Sequence, residues 1–240
     1  MDTYIVCGGK GTRVADLCDK YKCEKHELPV DGHMFVDFTI RALLDSNIVH
    51  SIQYVREQNI GTGGSIRFIT RGVSTKKPGD LIYYTNEVAA PSSFPYILIY
   101  GDMYVDDDIP NMYGKFLESN ADLMMITMET SDQDYGLVEA FNLTSKVSGY
   151  RRVHVDVSDY LTNVGMYLVG ERFHTFMVNN PQPDPFSLEK DVFENDNVLG
   201  TGMGIYNKMF NVVSYRVDSR YIYDVGTPSR YDRACKELRW

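Results

Sequence analysis

The stretch of sequence that decides the fold runs from Thr3 to Arg13 and reads Thr-Tyr-Ile-Val-Cys-Gly-Gly-Lys-Gly-Thr-Arg. Its first part, Thr3–Cys7, is a short apolar run of strand-forming residues, which predicts a buried first strand. The glycines that follow allow backbone amides to approach a phosphate chain closely, where a Cβ would intrude. Arg13 adds a planar cationic donor for phosphate oxygens. The stretch therefore predicts a strand that opens into a phosphate-binding loop.

The glycine loop alone leaves more than one interpretation open. It lacks the Gly-Lys-Ser/Thr ending of a Walker A motif, and Val14 occupies the third glycine position of the dinucleotide fingerprint. A plain glycine turn after a strand accounts for the same residues. A phosphate site consequently needs support from the rest of the chain.

Strand and helix patterns alternate along the sequence. Apolar periodicity predicts one helix over Phe35–Leu44, and Ser187 with the acidic residues behind it predicts another over Phe186–Phe193. Short apolar runs predict further strands at Tyr96–Tyr100, Leu123–Met128, Gly165–Val169 and Val212–Val217. This alternation favours one α/β domain spanning residues 1–240, with helices on both faces of a mixed, mostly parallel sheet.

Composition excludes several classes of function. The chain of 240 residues is 43% apolar with a net charge of −9, which is typical of a globular protein and argues against a nucleic-acid-binding surface. No apolar run approaches the ~20 residues that span a bilayer, so no membrane partner is expected. The absence of paired cysteine spacing and of a secretory pattern favours a cytoplasmic location. The oligomeric state is left open, and a homo-oligomer is compatible with the sequence.

Several segments, in a fixed order, resemble the sugar-nucleotide pyrophosphorylases. The first is the loop from Cys7 to Arg13, which is similar to the signature loop of that family. The others are Lys25 with Pro29 and Val30, Glu57–Ile66, Gly101–Asp102, and Tyr223–Pro228. The combination is most similar to the D-glycero-α-D-manno-heptose 1-phosphate guanylyltransferases, followed by the mannose-1-phosphate guanylyltransferases.

The resemblance implies a Rossmann-like three-layer α/β/α sandwich, the nucleotide-diphospho-sugar transferase fold. It also implies that the chain joins a nucleoside triphosphate, GTP by preference, to a heptose or hexose 1-phosphate and releases pyrophosphate. The implied nucleotide-binding residues are Cys7, Gly8, Gly9, Gly11, Thr12, Arg13, Glu57, Gly61, Thr62, Gly63 and Gly101. Those implied for the sugar phosphate are Tyr135, Gly136, Glu139, Arg152 and Asn163.

The chemistry of this reaction suits a small set of charged residues. A sugar phosphate has a second pKa near ~6, so its attacking oxygen is already ionised at neutral pH and needs no general base. Catalysis then rests on positioning and charge neutralisation, for which the resemblance implies Arg13, Lys25 and Asp102. Asp102 and Asp224 are the implied ligands of Mg²⁺, which prefers carboxylate and phosphate oxygens.

Simpler roles stay open for these residues. An aspartate at a strand end is often a cap or turn residue, which applies to Asp102 and Asp224. Lys25 lies in a charged stretch and is also compatible with a solvated surface position. Arg152 stands where relatives of the family usually carry a lysine, and the segment 48–95 departs from their pattern, which predicts a rebuilt sheet edge.

Other functions are compatible with the same fold. Cytidylyl or thymidylyl transfer to another sugar or small phosphate keeps the reaction and changes the substrates. A non-catalytic sensor of nucleotides or sugar phosphates keeps the fold and loses the reaction. A dinucleotide-dependent oxidoreductase is disfavoured by the missing third glycine.

Overall fold

A computed structural model describes residues 1–7, 11–56, 72–75, 83–85, 91–129, 137–140, 147–151, 161–179, 193 and 210–240. In 54–56, 72–75, 83–85, 137–140, 147–151 and at 178 the description covers the backbone alone. The strands are β1 (Asp2–Cys7), β2 (Pro29–Val30), β3 (His33–Met34), β4 (Ser51–Arg56), β5 (Gly72–Thr75), β6 (Tyr83–Thr85), β7 (Tyr96–Tyr100), β8 (Met103–Val105), β9 (Leu123–Met128), β10 (Leu137–Ala140), β11 (Val147–Arg151), β12 (Leu161–Val169), β13 (Val212–Arg216) and β14 (Ile222–Asp224). The helices are α1 (Ala15–Tyr21), α2 (Phe35–Asp45), α3 (Ile109–Ser119), α4 (Glu171–Asn179) and α5 (Pro228–Glu237).

A ten-stranded mixed sheet forms the centre of the described structure. Strand β1 lies between β4 and β7 and is parallel to both, and β9 is parallel to β13. The long β12 is antiparallel to β7 on one side and to β9 on the other. The pairings give one direction to β1, β4, β6, β7, β9, β10 and β13 and the opposite direction to β5, β11 and β12. Most strands of the sheet therefore run the same way, as predicted.

Alternating side chains of the central strands are buried on opposite faces of the sheet, as the two-residue period of a strand requires. On one face, Ile5 and Ile99 belong to an apolar cluster with side chains of α2 and α3. On the other face, Tyr4 and Leu98 belong to a second cluster with Phe173 of α4. Helices thus cover both faces, which confirms the predicted three-layer α/β/α sandwich.

Local capping fixes where the helices begin. The Asp108 side chain accepts a hydrogen bond from Asn111 N at 2.9 Å, and Pro110 occupies the first turn of α3. Thr227 caps α5 in the same way, with Pro228 directly after it. Proline suits this first turn because its missing N–H would have no partner there. The cap at Thr227 therefore starts α5 close to the end of β14.

The predicted elements within the described residues agree closely with the structure. The strands predicted at 96–100 and 123–128 are confirmed with the same bounds, and the helix predicted at 35–44 is α2. The strand predicted from Gly165 begins earlier, at Leu161, because Gly165 is a left-handed residue (φ +83°) inside the strand rather than its start. The helix predicted over 186–193 lies outside the described residues except for Phe193, which is buried.

The sheet edge beyond β4 is built by two short antiparallel strands. β5 pairs with β4, and β6 pairs with β5. These strands lie within the segment 48–95, where the sequence predicted a rebuilt edge. Among the described residues, no helix is both long enough and apolar enough to cross a lipid bilayer.

Candidate active site

The candidate site lies where the parallel strands β1 and β7 end side by side. Gly101 follows β7 and donates a backbone hydrogen bond to Val6 O of β1 at 2.8 Å. A Cβ on Gly101 would overlap the Cys7 sulfur, so this close approach requires glycine. Ligands of open α/β sheets bind in the crevice outside the carboxyl ends of such strands.

The glycine loop begins at this edge, although Gly8 and Gly9 lie outside the described residues. Gly11 adopts the left-handed conformation (φ +57°), which glycine reaches at little cost. A 3-10 turn over Thr12–Val14 follows, and Val14 N donates to Gly11 O at 2.9 Å. Val14 is buried while Thr12 and Arg13 are exposed. The buried valine thereby anchors the loop and leaves Thr12 and Arg13 on its open side.

Lys25 reaches the site from a second 3-10 turn, Lys25–Glu27. A capping box between Glu24 and Glu27 fixes that turn, with Glu24 N donating to Glu27 Oε2 at 2.9 Å. The Lys25 side chain passes Gly11, whose added Cβ would lie 3.6 Å from Lys25 Cβ. Its Nζ forms an ion pair with Oδ2 of Asp102, and the lysine side chain is only 15% exposed. The structure thus places Lys25 inside the site and not on a solvated surface.

A two-stranded ribbon brings the two predicted carboxylates together. β8 and β14 pair antiparallel, with Asp224 opposite Met103. At the end of the ribbon, Val225 N donates to the backbone oxygen of Asp102 at 3.2 Å. Asp102 and Asp224, distant in sequence, therefore share one end of the ribbon.

Asp224 is buried beside groups of the opposite charge. Its Oδ1 accepts a hydrogen bond from Gly226 N at 2.8 Å and lies 3.3 Å from Nη1 of Arg230. A Cβ on Gly226 would lie 2.8 Å from this oxygen, 3.5 Å from Lys25 Nζ and 3.6 Å from Arg13 Nη2. Arg13, Lys25 and Asp224 thus all surround Gly226, and Asp102 joins them through its ion pair with Lys25.

The sequence did not predict site roles for Gly226 and Arg230. Gly226 lies within the Tyr223–Pro228 segment, but its importance comes from the crowding around it. Arg230 had a detectable signal, because a cation in the first turn of a helix opposes the helix dipole and requires an anion nearby. Asp224 is that anion.

Of the residues predicted to bind the sugar phosphate, Asn163 is described with its side chain. Asn163 is buried, its Nδ2 donates to the Tyr167 hydroxyl at 2.6 Å, and its Oδ1 accepts from Gly165 N at 3.1 Å. These bonds hold the left-handed bend of β12, so Asn163 has a clear structural role. Glu139 lies in β10, where only the backbone is described. Besides Gly8 and Gly9, the predicted residues outside the described part of the chain are Glu57, Gly61, Thr62, Gly63, Tyr135, Gly136 and Arg152.

The carboxylate pair fits a magnesium ion. Magnesium is commonly held by one or two carboxylates together with substrate phosphates, and it keeps the rest of its octahedral shell as water. Asp102 and Asp224 supply two carboxylates at one end of the β8–β14 ribbon. No group of three or more His, Cys, Asp or Glu side chains suited to a metal ion occurs among the described residues.

Comparison with known proteins gives the fold. A Bacillus anthracis protein assigned as a glucose-1-phosphate thymidylyltransferase, solved in complex with sucrose, is similar with a TM-score of 0.67 and 16% identity, over 100% of this chain and 97% of its own. HddC from Yersinia pseudotuberculosis is similar with a TM-score of 0.62 and 19% identity over 99% of both chains. HddC complexed with GMP-PN is similar with a TM-score of 0.58 and 18% identity, again over 99% of both chains. No family model and no curated protein matches the sequence. The chain therefore has the nucleotide-diphospho-sugar transferase fold predicted from its sequence.

Proposed function

We propose that this chain is a sugar-1-phosphate nucleotidyltransferase that converts a nucleoside triphosphate and a sugar 1-phosphate into a nucleotide-activated sugar and pyrophosphate. The observation that carries the proposal is the convergence of Arg13, Lys25 and Asp224 around Gly226, with Asp102 paired to Lys25. These residues come from separate parts of the sequence and meet at the carboxyl ends of β1 and β7. Such a set of cations and carboxylates suits phosphoryl chemistry better than hydride transfer.

The reaction needs charge neutralisation rather than proton removal. An oxygen of the sugar phosphate forms a bond to the α-phosphorus, and the bond from that phosphorus to the β-bridging oxygen breaks in line with it. The electron pair leaves with pyrophosphate. Arg13 binds the triphosphate and the leaving pyrophosphate, and Lys25 neutralises charge on the reacting phosphates. Mg²⁺ held by Asp102 and Asp224 would neutralise phosphate charge in the same place.

Guanine is the proposed base. The sequence Gly61-Thr62-Gly63-Gly64 resembles the base-side loop of guanylyltransferases, and its small residues leave room for a purine. HddC, one of the structures with this fold, has been solved with GMP-PN. A heptose or hexose 1-phosphate is the proposed acceptor, bound on the side of Tyr135, Gly136, Glu139, Arg152 and Asn163.

A substrate matrix tests the proposal. The purified chain is incubated with Mg²⁺, each of GTP, ATP, CTP, UTP and dTTP, and each of several heptose and hexose 1-phosphates. Pyrophosphate release and the nucleotide-sugar product are both detected. We expect GTP to give the highest kcat/KM. A tenfold preference for a pyrimidine triphosphate would overturn the guanine assignment while keeping the reaction.

Thermal melting with each triphosphate and with NAD, run beside the matrix, measures binding and separates catalysis from sensing. Nucleotide binding without product from any pair would favour the sensor alternative. Binding of NAD with no response to any triphosphate would contradict the proposed function altogether.

A further inference from the structure

Arg230 occupies a position that the proposed reaction does not by itself explain. It is the third residue of α5, and its side chain is only 15% exposed. Side chains of a helix lean toward its N-terminus, and that direction brings the guanidinium back to Asp224. The 3.3 Å contact between Nη1 and Oδ1 is made with a carboxylate whose side chain is 7% exposed. Removing one partner of a pair this buried leaves an uncompensated charge.

The charges on the described residues of the site are nearly balanced before any ligand binds. Asp102 is paired with Lys25, and Asp224 is paired with Arg230 and hydrogen-bonded by Gly226 N. Arg13 adds a further cation next to Gly226. A divalent cation that approaches the two carboxylates must therefore displace ion pairs and meet the positive charges. A triphosphate brings negative charge of its own and offsets that repulsion.

We infer that Arg230 is a positioning residue that holds Asp224 in the substrate-free protein and competes with the divalent cation for it. The inference rests on the proposed function, because it assigns Asp224 to the metal. This competition makes binding of the metal depend on binding of the triphosphate. The metal binds weakly on its own and tightly together with the triphosphate, so the carboxylates do not hold a cation when no nucleotide is present.

Metal binding without substrate tests this inference independently of turnover. Mn²⁺ is the probe, since it shares the oxygen-ligand preference of Mg²⁺ and is detected by electron paramagnetic resonance. Free Mn²⁺ is titrated against the wild-type chain and Arg230→Gln, with no nucleotide. Because the substitution releases Asp224 and removes a neighbouring positive charge, we expect the Kd of Mn²⁺ to fall about tenfold. Arg230→Lys keeps the charge and is expected to stay within about threefold of wild type, which is ~0.7 kcal/mol.

Arg220→Gln is the matched control. Arg220 also pairs with an aspartate, Asp218, at 2.7 Å, but its side chain is 76% exposed. We expect this substitution to leave the Kd of Mn²⁺ unchanged. Thermal melting of each variant identifies any that fails to fold, and Arg230→Met, which also removes the charge, replaces Arg230→Gln if that variant does not fold.

The outcomes are distinct. Tighter Mn²⁺ binding in Arg230→Gln alone supports the inference. Unchanged or weaker binding in Arg230→Gln, or no measurable binding in that variant, overturns it. Failure of the proposed function is a separate result: in the substrate matrix, the wild-type protein would then give no nucleotide-sugar product.

Discussion

At the scale of single residues, the site consists of cations and carboxylates that neutralise one another across short distances. The residue types could be predicted from the sequence, because phosphate chemistry calls for them and the resemblance placed Arg13, Lys25, Asp102 and Asp224 in order. Arg230 was missed, because a cation in the first turn of a helix signals only that an anion is favourable nearby, and the contact that identifies Asp224 as that anion forms in the folded chain. Gly226 lies in the Tyr223–Pro228 segment, but glycine is needed there because the folded chain turns the Asp224 carboxylate back to within 2.8 Å of where a Cβ would lie.

The two carboxylates are expected to act as one unit. Asp102→Asn and Asp224→Asn each keep the shape of the side chain and remove the charge that would hold the proposed Mg²⁺. We expect kcat to fall on the order of 10²–10³ for either, or ~3–4 kcal/mol, as for other lost electrostatic stabilisation. The double variant should be far less impaired than the product of the two losses, because both damage the same metal-phosphate unit. Steady-state kinetics with saturating Mg²⁺ measures all three.

A control and a fold measurement accompany these variants. Asp232→Asn removes an exposed carboxylate of α5 and should leave kcat unchanged. Asp224→Asn should lower Tm more than Asp102→Asn, because the Asp224 side chain is 7% exposed and that of Asp102 is 29% exposed, so the Asp224 ion pair is the more buried of the two. Near-normal turnover of Asp224→Asn beside an inactive Asp102→Asn would show that Asp224 is only a turn residue.

Gly226→Ala tests the crowding at the centre of the site. The new Cβ would lie 2.8 Å from Asp224 Oδ1, so the carboxylate must move. A displacement of about 1 Å in a catalytic group can cost on the order of 10² in rate, and we expect a loss of that size in kcat/KM. Gly114→Ala is the matched control: nothing lies within 4 Å of its added Cβ, and it should be as active as wild type and slightly more stable. Wild-type activity of Gly226→Ala would exclude close packing around the reacting groups.

At the scale of secondary structure, strands of five or six apolar residues were predicted well, and strands of three residues were not. β7 and β9 are continuous apolar runs that the sequence defines by themselves. β8 and β14 have only three residues each, too few to show a period, and they pair across about half of the chain. Tertiary contacts set that pairing, so the position of Asp224 beside Asp102 came from the family resemblance and not from local pattern.

A buried tyrosine of α5, Tyr231, connects this helix to strand β2. Tyr231 donates its hydroxyl hydrogen to Pro29 O at 2.7 Å, and burial raises the pKa of Tyr231, so the hydroxyl stays protonated at neutral pH. Tyr231→Phe removes this bond and leaves a carbonyl oxygen poorly satisfied. We expect a loss of ~1–2 kcal/mol, or roughly 2–8 °C in Tm. Tyr221→Phe, which alters a tyrosine that is 47% exposed, should leave Tm unchanged. Equal melting of the two variants would contradict a structural role for the bond.

At the scale of the whole molecule, the pattern of apolar residues bears on the fold, and the distribution of charge bears on the site. Alternation of apolar strands and helices predicted the layered sheet, because each element must cover its apolar face. The sequence predicted only a departure from the family pattern in 48–95 and not the strands β5 and β6, since short edge strands are set by their neighbours rather than by their own sequence. A net charge of −9 is compatible with a site that binds anions, because three cations, Arg13, Lys25 and Arg230, lie close together there.

Ligand-dependent melting tests the proposed function on the intact chain. A ligand that binds only the folded state stabilises it by ~2.7 kcal/mol at about 100 times its Kd. For a domain of this size that amounts to roughly 5–10 °C in Tm. We expect GTP with Mg²⁺ to produce such a shift and NAD to produce almost none, because the loop after β1 has valine at the third glycine position of the dinucleotide fingerprint.

Lys25→Ala and Asp102→Asn should each reduce the GTP shift, since each removes a phosphate or metal contact. A shift with NAD and with no triphosphate would contradict the transferase proposal. An undiminished GTP shift in both variants would place the nucleotide away from the β8–β14 ribbon.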